Sequence, residues 1–220
     1  FAVPLQAQGD TTMLLSRRAD GSAVGEVGSF AISADGRFFA YPTVENVIRR
    51  DSNDAYDLYL VDRQTDAIEA ISVTQAGALA GGTGGRVDLS GDGRFVVFES
   101  GSPDLVAGDT NGVTDVFVRD RLLETTVRVN VHSSGEQANY GCHFPAISSD
   151  GRFVAFHSQA SNLIDFDYND ESDVFVHELA TGETELVSRS SQGVLGNNTS
   201  VVPSISEDGR YVAFESNAAN

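Results

Sequence analysis

The feature that most constrains this chain is a period of about 58 residues. The segments "SADGRFFAY" from Ser33, "SGDGRFVVF" from Ser90, "SSDGRFVAF" from Ser148 and "SEDGRYVAF" from Ser206 repeat one turn. They place the Asp of D-G-R at Asp35, Asp92, Asp150 and Asp208, which are 57, 58 and 58 residues apart. A second pattern, D-x-N-x-x-x-D, starts at Asp51, Asp109 and Asp167, again 58 apart. Two independent patterns share one period and one phase. The chain is therefore built from repeats, and a repeat dictates architecture more firmly than local propensity does.

Each period reads as four short strands. In the third unit these are strand A (144–148), strand B (152–158), strand C (173–178) and strand D (183–189), with Gly151 suited to a positive φ in the A–B turn. The runs are rich in Phe, Val and Ile, which favour strands, and no stretch shows a 3.6-residue apolar stripe. Strands B and C ("FVVF", "DVFV", "FVAF") are continuously apolar, not alternating. A sheet of that kind is covered on both faces. Four-stranded sheets stacked face to face around an axis meet the requirement, so the expected fold is an all-β propeller with low helix content. A flat sandwich is the alternative, but it would not require a strict period.

The phase also divides the chain. "TTMLLSRRADG" at 11–21 matches "ETELVSRSSQG" at 183–193, so residues 1–21 read as strands C and D of a blade. Residues 22–79, 80–137 and 138–195 read as complete blades, and 196–220 as strands A and B. Two closures are open. The terminal strands can share a split fourth blade in a four-bladed ring, or the chain can be an arc of a larger ring, with more units upstream and downstream or in a second copy of the chain that associates through exposed faces. No signal-peptide pattern is read from Phe1 onward, which leaves an upstream segment open.

The S-x-D-G-R-[FY]-[FV]-[AV]-[FY] repeat, followed by an [LV]-[FY]-[LV]-x-[DE] strand, resembles the TolB-like, WD-repeat-like β-propeller repeats. The resemblance spans essentially the whole chain. It departs from the WD type in unit length, which there is roughly 40–45 residues, and in lacking any W-D dipeptide. It implies a propeller scaffold with a binding role, in a family found largely in bacterial periplasmic and secreted proteins. It does not supply a partner.

A formal net charge of -18 argues against nucleic acid and anionic lipid as partners, and it leaves carboxylates available for cations. No apolar run approaches the roughly 18 residues of a transmembrane helix, so no membrane insertion is expected. Cys142 is the only cysteine, which excludes an intrachain disulfide and suggests a small buried hydrophobe.

The D-x-N-x-x-x-D stretches fall in the B–C loops. Hard cations such as calcium take six to eight oxygen ligands, and this spacing is a shortened relative of the EF-hand pattern. The candidate ligands are Asp51, Asn53 and Asp57; Asp109, Asn111 and Asp115; and Asp167, Asn169 and Asp173. The backbone carbonyls of Ala55, Val113 and Glu171 are secondary candidates, and Asp54, Gly112 and Asp170 sit where a positive φ would sharpen the turn. The competing reading is an Asx-turn that starts strand C. It explains one acid per loop better than two, because paired carboxylates repel unless a cation offsets them. One calcium per loop would offset six Asp charges with three dications, moving the charge from -18 to -12.

His132, His143, His157 and His177 show no transition-metal spacing and read as structural, with His143 and His157 close across an A–B pair. Arg37, Arg94, Arg152 and Arg210 open strand B, while Asp62, Asp120 and Glu178 end strand C, a pattern suited to ion pairs at blade edges. "NNTS" at 197–200 contains N-x-[ST] acceptors, relevant only in a glycosylating host.

The expected function is a non-catalytic, calcium-binding propeller acting outside the cytoplasm (secreted, periplasmic or on the cell surface). Its partner would be a protein or a glycan, with self-assembly through the split blade as a further option. The alternative is a propeller-type polysaccharide lyase or other carbohydrate-active enzyme. No G-x-S-x-G nucleophile elbow occurs, and the polar residues follow the repeat where catalytic residues would break it.

Overall fold

A computed structural model describes residues 14–220. Among them there are fourteen strands and no helix. Three antiparallel sheets have four strands each, in simple sequential order. The first runs β1 (Ala31–Ile32), β2 (Phe38–Thr43), β3 (Asp57–Asp62) and β4 (Ile68–Ala70). The second runs β5 (Val87–Leu89), β6 (Phe95–Ser100), β7 (Asp115–Asp120) and β8 (Thr125–Arg128). The third runs β9 (Cys142–Ile147), β10 (Phe153–Ser158), β11 (Asp173–Glu178) and β12 (Thr184–Leu186). A two-stranded sheet, β13 (Ser200–Ile205) with β14 (Val212–Ser216), follows. The strand C expected from Phe1 and most of the strand D expected at 11–17 lie outside the described residues. The turn after them is described. Its Arg17–Ala23 bridge matches Val73–Leu79, Val131–Gln137 and Arg189–Leu195 in the other units.

The continuous apolar runs become doubly covered strands. All six residues of β2 and all six of β3 are buried. Within a strand, alternate side chains serve different neighbours, as the two-residue strand period requires. Val96 and Phe98 pack with Phe38, Ala40, Leu58 and Leu60 of the first blade. Val97, between them, packs with Val154, Phe156 and Phe175 of the third. The outer face of the first blade, Phe39, Tyr41 and Tyr59, is covered by Val24 with Leu15 and Val27.

The D-G-R turn builds the same local network four times. In the second unit the Ser90 hydroxyl donates to Asp92 Oδ1 at 2.7 Å, the Arg94 N–H donates to the same oxygen at 2.9 Å, and the Phe95 N–H donates to Ser90 Oγ at 2.9 Å. Ser33, Ser148 and Ser206 repeat it. The arginines then meet the acids at the ends of strand C. Arg37 grips Asp62 through two nitrogens at 3.0 and 2.6 Å, and Arg94 grips Asp120 in the same way. Arg152 pairs with Glu178.

The turns also join one blade to the next. The Ala34 N–H donates to the Gly91 carbonyl at 3.0 Å, Gly91 to Ser149 at 2.9 Å, and Ser149 to Glu207 at 2.9 Å. Beside this ladder the glycine of the second, third and fourth turns lies on an aromatic ring of the preceding blade. A Cβ added at Gly93 would sit 2.3 Å from Phe38, at Gly151 2.2 Å from Phe95, and at Gly209 2.4 Å from Phe153. The positive φ of these residues (68°, 72° and 68°) is the second reason that glycine is required.

Candidate cation-binding loops

Each acidic loop leaves strand B, crosses the blade edge and enters strand C, so its last Asp opens β3, β7 or β11. The fourth residue of every loop takes the expected positive φ: Asp54 at 51°, Gly112 at 68° and Asp170 at 55°. The tight turn brings the first and last carboxylates together and buries them. Asp57, Asp115 and Asp173 are fully buried, and Asp51 and Asp167 are nearly so. Each loop also touches the next blade, because the carbonyls of Tyr56, Thr114 and Ser172 accept from the N–H groups of Thr83, Cys142 and Ser200. The loops are therefore inter-blade joints.

The asparagines act as Asx-turn residues. The side-chain oxygens of Asn53, Asn111 and Asn169 accept from the N–H groups of Ala55, Val113 and Glu171 at 3.1, 3.3 and 3.1 Å. The amides of Asn111 and Asn169 donate onward to Asp115 and Asp173, at 3.0 and 2.7 Å. The turn reading and the paired carboxylates thus coexist. A residue of strand D's exit supports each last Asp: Ser72 donates to Asp57 at 3.1 Å, Asn130 to Asp115, and Ser188 to Asp173 at 2.6 Å.

The loops differ in what meets the carboxylate pair. In the first, Asp51 accepts from the Tyr59 hydroxyl through Oδ2, while Asp51 Oδ1 and Asp57 Oδ2 are buried and have no hydrogen-bond partner. The Asn53 amide is close enough to favour the Asp57 carboxylate without completing a bond to that orphaned oxygen. In the second loop, Arg128 Nη1 stands 3.1 Å from Asp109 Oδ1 and 3.2 Å from Asp115 Oδ2. In the third, Asp167 and Asp173 have no described arginine partner.

Burial, before any other cause, pushes the Asp57, Asp109, Asp167 and Asp173 carboxyls above the usual carboxylate range. The neighbouring carboxylate adds to the rise at Asp57, Asp109 and Asp167. Such sites favour a proton or a cation. Among the described residues no three His, Cys, Asp or Glu side chains converge as a metal group, so a loop offers a carboxylate pair to be completed by carbonyls and water. The donors are hard oxygens of the kind calcium takes.

Arg128 and Tyr59 were not among the residues singled out from the sequence. Comparing units would have found Arg128, whose counterparts are Ala70 and Leu186; the three pair with Phe117, Tyr59 and Phe175 in the same register. A pair of histidines also breaks the repeat. His157 pairs with His143 across strands β9 and β10, with rings 6.0 Å apart. Glu99 of the preceding blade lies 3.4 Å from His143 Nδ1 and accepts from the Phe144 N–H at 2.8 Å. Burial, then His143, lowers His157 to about 4. Cys142 is fully buried, and burial pushes its thiol up to about 12, which suits the inert role expected of it.

No protein-family model matches the chain, and no curated protein matches it in sequence. Among solved structures it is similar to TolB from Acinetobacter baumannii, at 18% identity and a TM-score of 0.55, over 88% of this chain and 38% of that one. It also matches a putative TolB from Agrobacterium tumefaciens, at 19% identity and a TM-score of 0.49, over 87% of this chain and 59% of that one. The chain thus spans less than two thirds of either structure. At these identities the likeness is one of fold, and the fold is that of the β-propeller.

Proposed function

We propose that this chain is a non-catalytic propeller module whose acidic loops bind calcium and lock adjacent blades, serving as an extracellular or periplasmic scaffold for a protein or glycan partner. The orphaned pair of buried oxygens, Asp51 Oδ1 and Asp57 Oδ2, carries the reading. Two carboxylates taken out of water together, each with an unpaired oxygen, are costly unless a cation lies between them. Calcium fits the oxygen donors, and the roughly millimolar affinity expected of short sites fits its concentration outside the cytoplasm. A loop that holds both β3 and the approach to β5 transmits the binding energy to the blade interface.

The repeat supports the non-catalytic reading. Most polar side chains recur by unit, and one group that does not, Glu99 with His143 and His157, spends its carboxylate on a backbone N–H and a neighbouring ring. The same group is the observation in favour of the lyase-type alternative, which predicts that His143→Ala abolishes an activity on acidic polysaccharide. Self-association through the split blade predicts a mass above the monomer in light scattering at high dilution.

Thermal unfolding with and without chelator tests the calcium reading. A ligand present at about 100 times its Kd stabilises by about 2.7 kcal/mol per site, so exhaustive chelation is expected to lower Tm by several degrees. An unchanged Tm sinks the proposal.

A further inference from the structure

We propose that the second acidic loop carries its own cation, Arg128, in place of a metal ion, and that calcium enters only the first and third loops. The inference rests on the calcium reading and refines it.

A single guanidinium nitrogen, Arg128 Nη1, bridges the first and last acids of the loop at 3.1 and 3.2 Å, the place where a metal shared by both carboxylates would sit. It also donates to Gln137 Oε1 at 3.0 Å. The side chain is only 10% exposed, and its Nε is buried without a partner. An arginine left with an unsatisfied buried donor is held there for its charge, since the stem alone would pack better as a leucine. The sister position is Leu186 in the third blade and Ala70 in the first. Neither brings a charge, and in the first loop one oxygen of each carboxylate, Asp51 Oδ1 and Asp57 Oδ2, is buried without a hydrogen-bond partner.

The same acidic frame thus appears with an internal cation once and without one twice. Where the cation is internal, the carboxylates have partners in any medium. Where it is absent, the carboxylate pair has no cationic partner of its own. The first loop leaves two buried oxygens without any partner, and in the third Asp173 is held only by the neutral Asn169 and Ser188, so the positive charge has to come from solution. The blade joint at 109–115 should hold in the absence of calcium, and the joints at 51–57 and 167–173 should loosen.

Counting bound calcium tests this. The whole chain is dialysed to equilibrium against calcium, alongside Arg128→Leu, which copies the third blade, and Ala70→Arg, which gives the first loop the second loop's arginine. The expected result is two ions for the unaltered chain, three for Arg128→Leu and one for Ala70→Arg. Three ions on the unaltered chain would overturn the inference and leave the calcium reading standing. No ions on any of the three proteins would overturn both. Should Arg128→Leu not fold without calcium, its recovery on adding calcium supports the inference, and failure in both conditions passes the decision to Ala70→Arg, where an unchanged count overturns it.

Discussion

The third blade and the half-blade after it begin with nearly the same hairpin, "FPAISSDGRFVAFHS" against "VPSISEDGRYVAFES". In both, the serine, aspartate and arginine of the turn make the same bonds, at 2.6 Å for Ser148 to Asp150 and 2.6 Å for Ser206 to Asp208. Their surroundings diverge. Ala155 and Phe156 are fully buried, whereas Ala213 is exposed and Phe214 half-buried. Tyr211 is 65% exposed. The third blade has β11 beside its B strand, and among the described residues β14 pairs only with β13. The turn is therefore encoded locally, and the core is a property of layers.

The largest test of that division is truncation of the two phenylalanines. Phe156→Ala should cost about 3–5 kcal/mol, and Phe214→Ala well under half as much, measured by urea unfolding. Equal losses would mean that the half-blade is as deeply packed as the blade before it.

A pH titration comes next, because it sees only the complete blade. His177 is buried against Thr184, at 2.9 Å, and burial lowers its pKa to about 4. A folded value below the unfolded value of about 6.5 means that neutral His177 is favoured by folding. Its contribution is complete above pH 6.5 or so and is lost as pH falls toward 4, on the order of 3 kcal/mol in all. His177→Val, the residue at the matching position in the first blade (Val61), should remove its share of that limb and leave the share of His157, which burial lowers to the same value. An unaltered acid limb would show that another group carries it.

Smaller still is the turn glycine. Gly151→Ala must hold a side chain at φ 72° and displace the Phe95 ring, which we expect to cost about 2 kcal/mol. Gly209→Ala meets Phe153 in the same way and should cost nearly as much, although its blade is incomplete. The smallest expected effect is the turn carboxylate. Asp150→Ala and Asp208→Ala should each lower the urea midpoint slightly, alike within error, because each loses the same pair of turn hydrogen bonds. A difference between them would show that burial, and not the turn alone, sets the strength of the network.

Much of this was legible in the sequence because the repeat supplies its own alignment. The B and C strands, the arginine–acid pairs and the positive φ at Asp54, Gly112 and Asp170 follow from residue type at a fixed phase. The A strand was less legible. Phe144 and Val202 take positive φ (54° and 53°) where β9 and β13 bulge, and no aromatic or β-branched residue advertises that conformation. In the loops, the sequence shows which acids are near one another but not what fills the space between them. Tyr59 reaches Asp51 from β3, two residues beyond Asp57, and Arg128 reaches its pair from the adjacent strand β8; their reach depends on register and on side-chain direction.

The ladder from Ala34 through Gly91 and Ser149 to Glu207 has a kinetic consequence. Its bonds close loops of 57, 58 and 58 residues, a separation that does not grow as blades are added. The entropy of closure is then nearly the same at every step, and a blade already formed is the template for the next. Folding should proceed as propagation from a first blade pair, at a rate set by one interface and insensitive to the number of repeats.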